Sequence, residues 1–263
     1  MYNFDYVKAG SIGDAVAALS SEDAQAVSGG QTLIPTLKQR LGQPSKLVDL
    51  TGIAEMAGIE AGSDSITIGG AVRHVEVEHS SDVRRTFPAL AALAGGIGDP
   101  QVRNRGTIGG SVANNDPSAC YPAACLGTGA TIMTSAGEIA ADDFFTGMFD
   151  TALGEGQIVT GVRFPVPSQA SYQKFVQPAS RFALVGVFVA RFASGVRVAV
   201  TGASESGVFR WTEAEAALSA SYTADAVAEL SVPAEGMIGD LHGSPEYRAH
   251  LIGVMTRRAI AAA

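Results

Sequence analysis

Two runs of glycine, hydroxyl and amide residues carry the spacing from which chemistry could be built. The first, SGGQTLIPTLKQRL, runs from Ser28 to Leu41. Gly29 and Gly30 free successive backbone N–H groups, and Gln31 and Thr32 add side-chain donors. A helix starting near Thr32, with Leu33, Ile34, Leu37 and Leu41 at helical spacing, would point its positive end at the same space. Together these features describe an anion nest. A strand–Gly-Gly–helix junction is also an ordinary connection, so this loop alone leaves both readings open. The second run, QVRNRGTIGGSVANNDPSACYPA, spans Gln101 to Ala123. Thr107, Gly109, Gly110 and Ser111 offer a second set of donors. Asn114, Asn115 and Asp116 follow, and an acidic side chain so placed commonly accepts hydrogen bonds from ribose hydroxyls. Two such loops could hold one diphosphate from both sides.

Other chemical signatures are missing. No G-x-x-x-x-G-K-[ST] occurs, and the nearest approach to G-x-G-x-x-G, GIGDPQ from Gly96, lacks its third glycine. GASES at Gly202 ends wrongly for a nucleophile elbow. His74, His79, His242 and His250 share no metal-ligand spacing with one another or with the cysteines. Cys120 and Cys125 read as small buried side chains. A chain with anion-cradling loops and no acid–base set of its own implies that a bound cofactor does the chemistry.

Composition narrows the partners. The 263 residues carry 18 basic and 26 acidic side chains, a formal net charge of −8. Basic residues are scattered, which excludes a nucleic-acid partner. Two cysteines exclude a disulfide scaffold and an iron–sulfur cluster held within the chain. The N-terminus has no signal-peptide pattern, and the longest apolar run, Phe182 to Ala190, is too short to span a bilayer. A cytoplasmic protein without a transmembrane segment is expected. The 31 glycines exceed the usual ~7% share and cluster as Gly-Gly pairs at segment ends.

The elements that would position these loops follow from periodicity. Ser11 with Asp14 opens a helix carrying Ala15, Val16 and Leu19. Strands are expected at residues 26–28, 46–50, 65–68, 131–134 and 157–164. Helices are expected at 83–94 and 117–126. This alternation indicates α/β layers through residue 168. Beyond Pro165 and Pro167, strands at 171–176, 184–192 and 196–201 have no helices between them, which predicts an antiparallel sheet of three strands. Helices are expected at 213–220, 224–230 and 245–261.

The two motifs resemble those of the medium, FAD-binding subunit of the molybdenum hydroxylases, the carbon monoxide dehydrogenase and xanthine dehydrogenase family. SGGQTLIP, Ser28 to Pro35, is similar to that family's A-G-G-Q-S-L-[LI]-P. TIGGSVANNDP, Thr107 to Pro117, is similar to its T-I-G-G-[SN]-[LIV]-A-x-x-D-P. The likeness runs nearly full length, through NFDYVKAGSIGDAVAAL at the start, GQIVTGVRFP from Gly156, SYQKF and RFALVGV between Ser171 and Val187, and DLHGSPEYRAHLIGVMTRRAI from Asp240. Asn114 and Asn115 depart from a frequent His-Ala, and Gln177 and Arg181 from a usual Arg and Asp.

The resemblance implies an α+β fold. A PCMH-type, vanillyl-alcohol-oxidase-like FAD-binding domain of two α/β subdomains (about 1–55 and 56–168) would be followed by a small C-terminal domain, 169–263. It further implies that Ser28, Gly29, Gly30, Gln31, Thr32, Leu33 and Ile34 bind the FAD pyrophosphate. Thr107, Gly109, Gly110, Ser111, Asn114 and Asp116 would complete the diphosphate and ribose site. Gly70 and Ala71 would give a backbone contact, Ile158 would lie near the rings and Lys174 at the flavin edge. Phe182 would either stack beside the flavin or serve as an ordinary core residue. Implied partners are a molybdopterin-binding large subunit and a [2Fe–2S] small subunit, in a heterotrimer or its dimer, with an external electron acceptor. A free-standing FAD-dependent reductase of the enolpyruvyl-sugar type, and a flavin-less binding protein, are the alternatives.

Overall fold

The computed structural model of the chain describes residues 1–263 and divides them among three main sheets. The first is parallel. β1 (Asp5–Lys8), α1 (Ile12–Leu19), β2 (Ala24–Val27), α2 (Leu33–Lys38) and β3 (Lys46–Asp49) follow in order, and β3 lies between β1 and β2. Ser11 caps α1 by accepting from the Asp14 N–H at 3.0 Å, as its sequence position predicts. Ala15 and Leu19 of that helix are buried with Val48 and Leu50 beneath the sheet.

The second sheet is antiparallel, in the order β4-β5-β10-β6-β7: β4 (Ile59–Ala61), β5 (Ser65–Gly69), β6 (Thr131–Thr134), β7 (Gly137–Ala140) and β10 (Val159–Pro165). This corrects the expected α/β alternation for residues 56–168. The helices do not sit between successive strands; they arrive as one block between β5 and β6. In order they are α3 (His74–His79), α4 (Ser81–Thr86), α5 (Pro88–Gly95), α6 (Pro100–Arg103), α7 (Ile108–Asn114) and α8 (Cys120–Thr128). α9 (Ala141–Phe144) and a small hairpin of β8 (Phe145–Gly147) and β9 (Asp150–Thr151) precede β10. The single helix expected at 83–94 is two, because Pro88 occupies the first turn of α5 and bars helical backbone at Phe87, whose φ is −142° and ψ 67°.

The third sheet has four strands rather than three: β11 (Gln169–Val176), β12 (Ala183–Phe192), β13 (Gly195–Thr201) and the two-residue β14 (Phe209–Arg210). Every residue from Ala183 to Ala190 in β12 is buried, and its two faces serve different cores. Phe188 and Ala190 pack into the core of the second sheet and its helix block. Val185, Val187 and Val189 face α10 (Thr212–Ala220) and α11 (Pro245–Ala261). A strand covered on both sides needs a continuous apolar run, which is why this segment reads as one. The helix expected at 224–230 is a short 3₁₀ turn, Ala224–Val227. No helix is long and apolar enough to cross a membrane.

Candidate functional site

Both glycine loops open on one cavity of about 660 Å³, within the ~300–1,000 Å³ usual for cofactor sites. The first loop joins β2 to α2. Its two glycines have different duties. A Cβ on Gly29 would lie 2.3 Å from the Arg105 carbonyl and 2.6 Å from the Gly106 Cα, so Gly29 lets the two loops touch. Gly30 adopts φ +66°, the left-handed turn that leads the chain into α2.

The second loop is held from the other side. His74 N–H donates to the Gly106 carbonyl at 2.9 Å, Ile108 N–H to Val72 at 3.0 Å and Gly109 N–H to Gly70 at 2.9 Å. Gly109 fits against Gly70, where a Cβ would come within 2.6 Å of the Gly70 carbonyl oxygen. At Gly110 a Cβ would meet only the Thr107 hydroxyl, at 3.1 Å, and otherwise open space. The first glycine of each pair thus serves packing between backbones. Thr107 joins the loops: its hydroxyl donates to Ser28 Oγ at 3.0 Å and accepts from Gly110 N–H at 3.3 Å.

The structure brings all of the expected site residues to the cavity except two. Ile34 turns under Gly30, whose Cβ would meet Ile34 Cγ1 at 2.9 Å. Ala71 packs against the first sheet's core. Asp116 spends one carboxylate oxygen on the Ser118 N–H at 2.8 Å, and its turn is fixed by Gly202 N–H donating to Pro117 O at 2.6 Å. Lys174 ties three segments together, donating to Gly96 O at 2.6 Å and Arg181 O at 2.9 Å and lying 3.6 Å from Cys120 Sγ. Phe182 lines the cavity and meets His242 edge-on at 5.6 Å between centroids.

Several lining residues escaped the sequence reading. Cys120, Ser118, Gly106, Gln157 and Arg181 are on the wall, and so is His74. Arg181 sits at φ +63°, held by Gln177, whose side-chain carbonyl accepts from the Ala179 and Ser180 N–H groups at 2.7 and 2.8 Å. These contacts join residues far apart in the chain, and no local motif announces them. Asn115, which departs from the family pattern, lies outside the cavity lining. At φ +41° it ends α7 and donates to Gly147 O and Asp150 O at 2.7 and 2.9 Å, pinning the β8–β9 hairpin.

The wall combines backbone donors with few charges, those of Lys174, Arg181 and Asp116. An anionic group would be met chiefly by the N–H groups of the first loop, because in the second loop, expected to add donors, those of Ile108, Gly109 and Ser111 donate to the Val72, Gly70 and Thr107 carbonyls and that of Gly110 to the Thr107 hydroxyl. Leu33, Ile97, Val102, Leu153, Ile158 and Val159 give apolar surface on which rings could lie. The cavity's volume, the N–H groups of the first loop and the open space beside Gly110, which a larger residue would fill, fit a dinucleotide.

Residues 2–167 match a family described as the FAD binding domain in molybdopterin dehydrogenase. The nicotine 6-hydroxylase medium subunit of Paenarthrobacter nicotinovorans is 34% identical over 97% of this chain and 95% of its own length. Carbon monoxide dehydrogenase from Hydrogenophaga pseudoflava superposes with a TM-score of 0.87 at 32% identity, over 100% of this chain and 97% of that one. Quinoline 2-oxidoreductase from Pseudomonas putida 86 does so with 0.89 at 28%, with the same coverage. The chain belongs to the FAD-binding family of the molybdenum hydroxylases, and it is an oxidoreductase subunit whose cofactor is FAD.

Proposed function

We propose that the chain is the electron-transfer subunit of a molybdenum hydroxylase. It takes electrons from [2Fe–2S] clusters on a small partner and delivers them through FAD to an external acceptor. A large partner carries the molybdopterin site. The observation that carries this reading is the Thr107–Ser28 hydrogen bond, which locks two glycine loops onto one cavity. Medium subunits of such enzymes are among the relatives similar over the full chain.

FAD supplies the redox chemistry when bound. The chain's own residues hold and shield it. Backbone N–H groups of 29–33 would take the diphosphate, with Gly110 leaving room for it across the cavity, and Asp116 would accept from the ribose with its unspent oxygen. Ile158 and Leu33 cover apolar ring surface. Lys174 has its three protons committed to Gly96, Arg181 and Cys120, so it acts as a brace for the flavin end rather than a free donor. Phe182 and the Gln177-held turn close that end. The division at residue 168 follows function: residues 1–168 contribute both loops, and 169–263 contribute Lys174, Arg181 and Phe182. Two free cysteines, both buried, are consistent with assembly in a reducing cytoplasm.

The test is purification of the tagged chain from its native cells, followed by flavin and metal analysis. Iron and molybdenum should co-purify with FAD, with one larger and one smaller partner. A flavoprotein that elutes free of both metals would contradict the subunit assignment.

A further inference from the structure

His74 begins α3 and is 4% exposed, on the wall of the cavity. Its ring lies 5.4 Å from that of Tyr121, and its Nδ1 is buried with no hydrogen-bond partner in the chain. Its Nε2 faces Gly106 so closely that a Cβ there would stand 2.5 Å away. Gly106 makes no hydrogen bond to it: the Gly106 N–H donates to Val102 O and the Gly106 carbonyl accepts from His74's own N–H. A buried polar ring without partners is costly and uncommon in a folded chain. The cavity that His74 lines offers a partner that is not protein.

We propose that His74 hydrogen-bonds the bound FAD and positions it on the wall between the second glycine loop and Cys120. The inference rests on the reading of this cavity as the FAD site. Burial, with the nearby Arg103 charge, holds the imidazole pKa down at about 4, so the ring is neutral at ordinary pH. A neutral imidazole offers one N–H and one lone pair. Because Nδ1 is shut off within the chain, the Nε2 edge is the one that can meet the cofactor, as donor or acceptor according to tautomer, where an ammonium could only donate and a carboxylate only accept. The role is positioning, because no proton is moved.

The test uses the full chain freed of flavin and labelled with ¹⁵N-histidine. On titration with FAD, a ring ¹⁵N signal of His74, assigned by its loss in His74→Gln, should move at one equivalent. The exposed His79 and His250 serve as controls and should stay still. In parallel, His74→Phe should weaken FAD binding by roughly tenfold, while His74→Gln, which can also donate and accept, should stay within about threefold of wild type. A stationary His74 signal in FAD-loaded protein, or equal affinity of His74→Phe and wild type, would overturn the role of His74 alone. Failure of the wild type to bind FAD would overturn the cavity assignment, and His74's role with it. The signal shift is read on wild type, so the test survives a variant that does not fold.

Discussion

Thr107 does two jobs with one oxygen, capping α7 through Gly110 and reaching across to Ser28. Thr107→Val should therefore cost about 1 kcal/mol of stability as a lost cap, and FAD affinity should fall further because the loops part. The neighbouring glycines should separate cleanly in denaturant midpoints. Gly109→Ala drives a methyl onto Gly70 backbone atoms at 2.6–3.0 Å and should destabilise by roughly 1–3 kcal/mol. Gly110→Ala should leave the fold nearly unchanged. His74 adds a pH signature to the flavin-free chain. Above its ordinary pKa of 6.5 both folded and unfolded imidazoles are neutral. As pH falls from 6.5 to about 4, only the unfolded chain takes the proton, so stability should drop, on the order of 3 kcal/mol. His74→Gln should remove that slope in unfolding free energy. The residues of the two motifs were legible because glycine, hydroxyl and acid crowd into short windows. His74 was not, because its significance lies in a burial and an absent partner that no local spacing encodes.

Elements place these residues through a few long-range clamps. Asn115 is 1% exposed in a left-handed conformation, and it holds the β8–β9 hairpin by two hydrogen bonds. Asn115→Ala loses both bonds and adds left-handed strain, so thermal or denaturant unfolding should show a cost of roughly 2–3 kcal/mol. Asn115→Gly, which adopts the turn freely, should lose less. The long amphipathic and fully apolar segments were readable from the sequence: α1 with its Ser11 cap, β12, and α11 within its observed bounds. Short elements were not, because β4, β8, β9 and β14 have too few residues to show a period and exist by pairing. The break at Phe87 was foreshadowed by Pro88, whose local effect outweighed the continuous apolar pattern around it. The topology of the second sheet could not be read at all, since pairing of β5 with β10 joins segments on either side of seven helices.

Across the whole molecule the C-terminal unit is a further wall of the cavity as well as an appendage. β12 shares its inner face with the core of the second sheet, and Lys174 reaches from β11 to Gly96 and Cys120. The unit is braced by Arg248, 1% exposed, which donates to Leu184 O and Gly202 O, each at 2.7 Å, and to Asp240 at 2.7 Å. Burial pulls the Asp240 carboxyl upward, but hydrogen bonds from the His242 N–H and the Arg248 guanidinium outweigh it and hold the carboxyl below its usual range. Its stabilising contribution is therefore present above about pH 4 and fades as pH falls through the lower folded value. Asp240→Asn should cost roughly 2 kcal/mol at neutral pH, moderated by the partial exposure of Asp240, and its difference from wild type should shrink in acid. Because Gly202 N–H also holds Pro117, the same variant should loosen the Asp116 turn and with it FAD. The most direct test of the two-loop site is a titration of flavin-free wild type and Gly110→Val with FAD, followed by flavin fluorescence and by circular dichroism. One FAD should bind per wild-type chain, and a Gly110→Val chain that remains folded should lose binding. Equal binding by both would contradict the two-loop site.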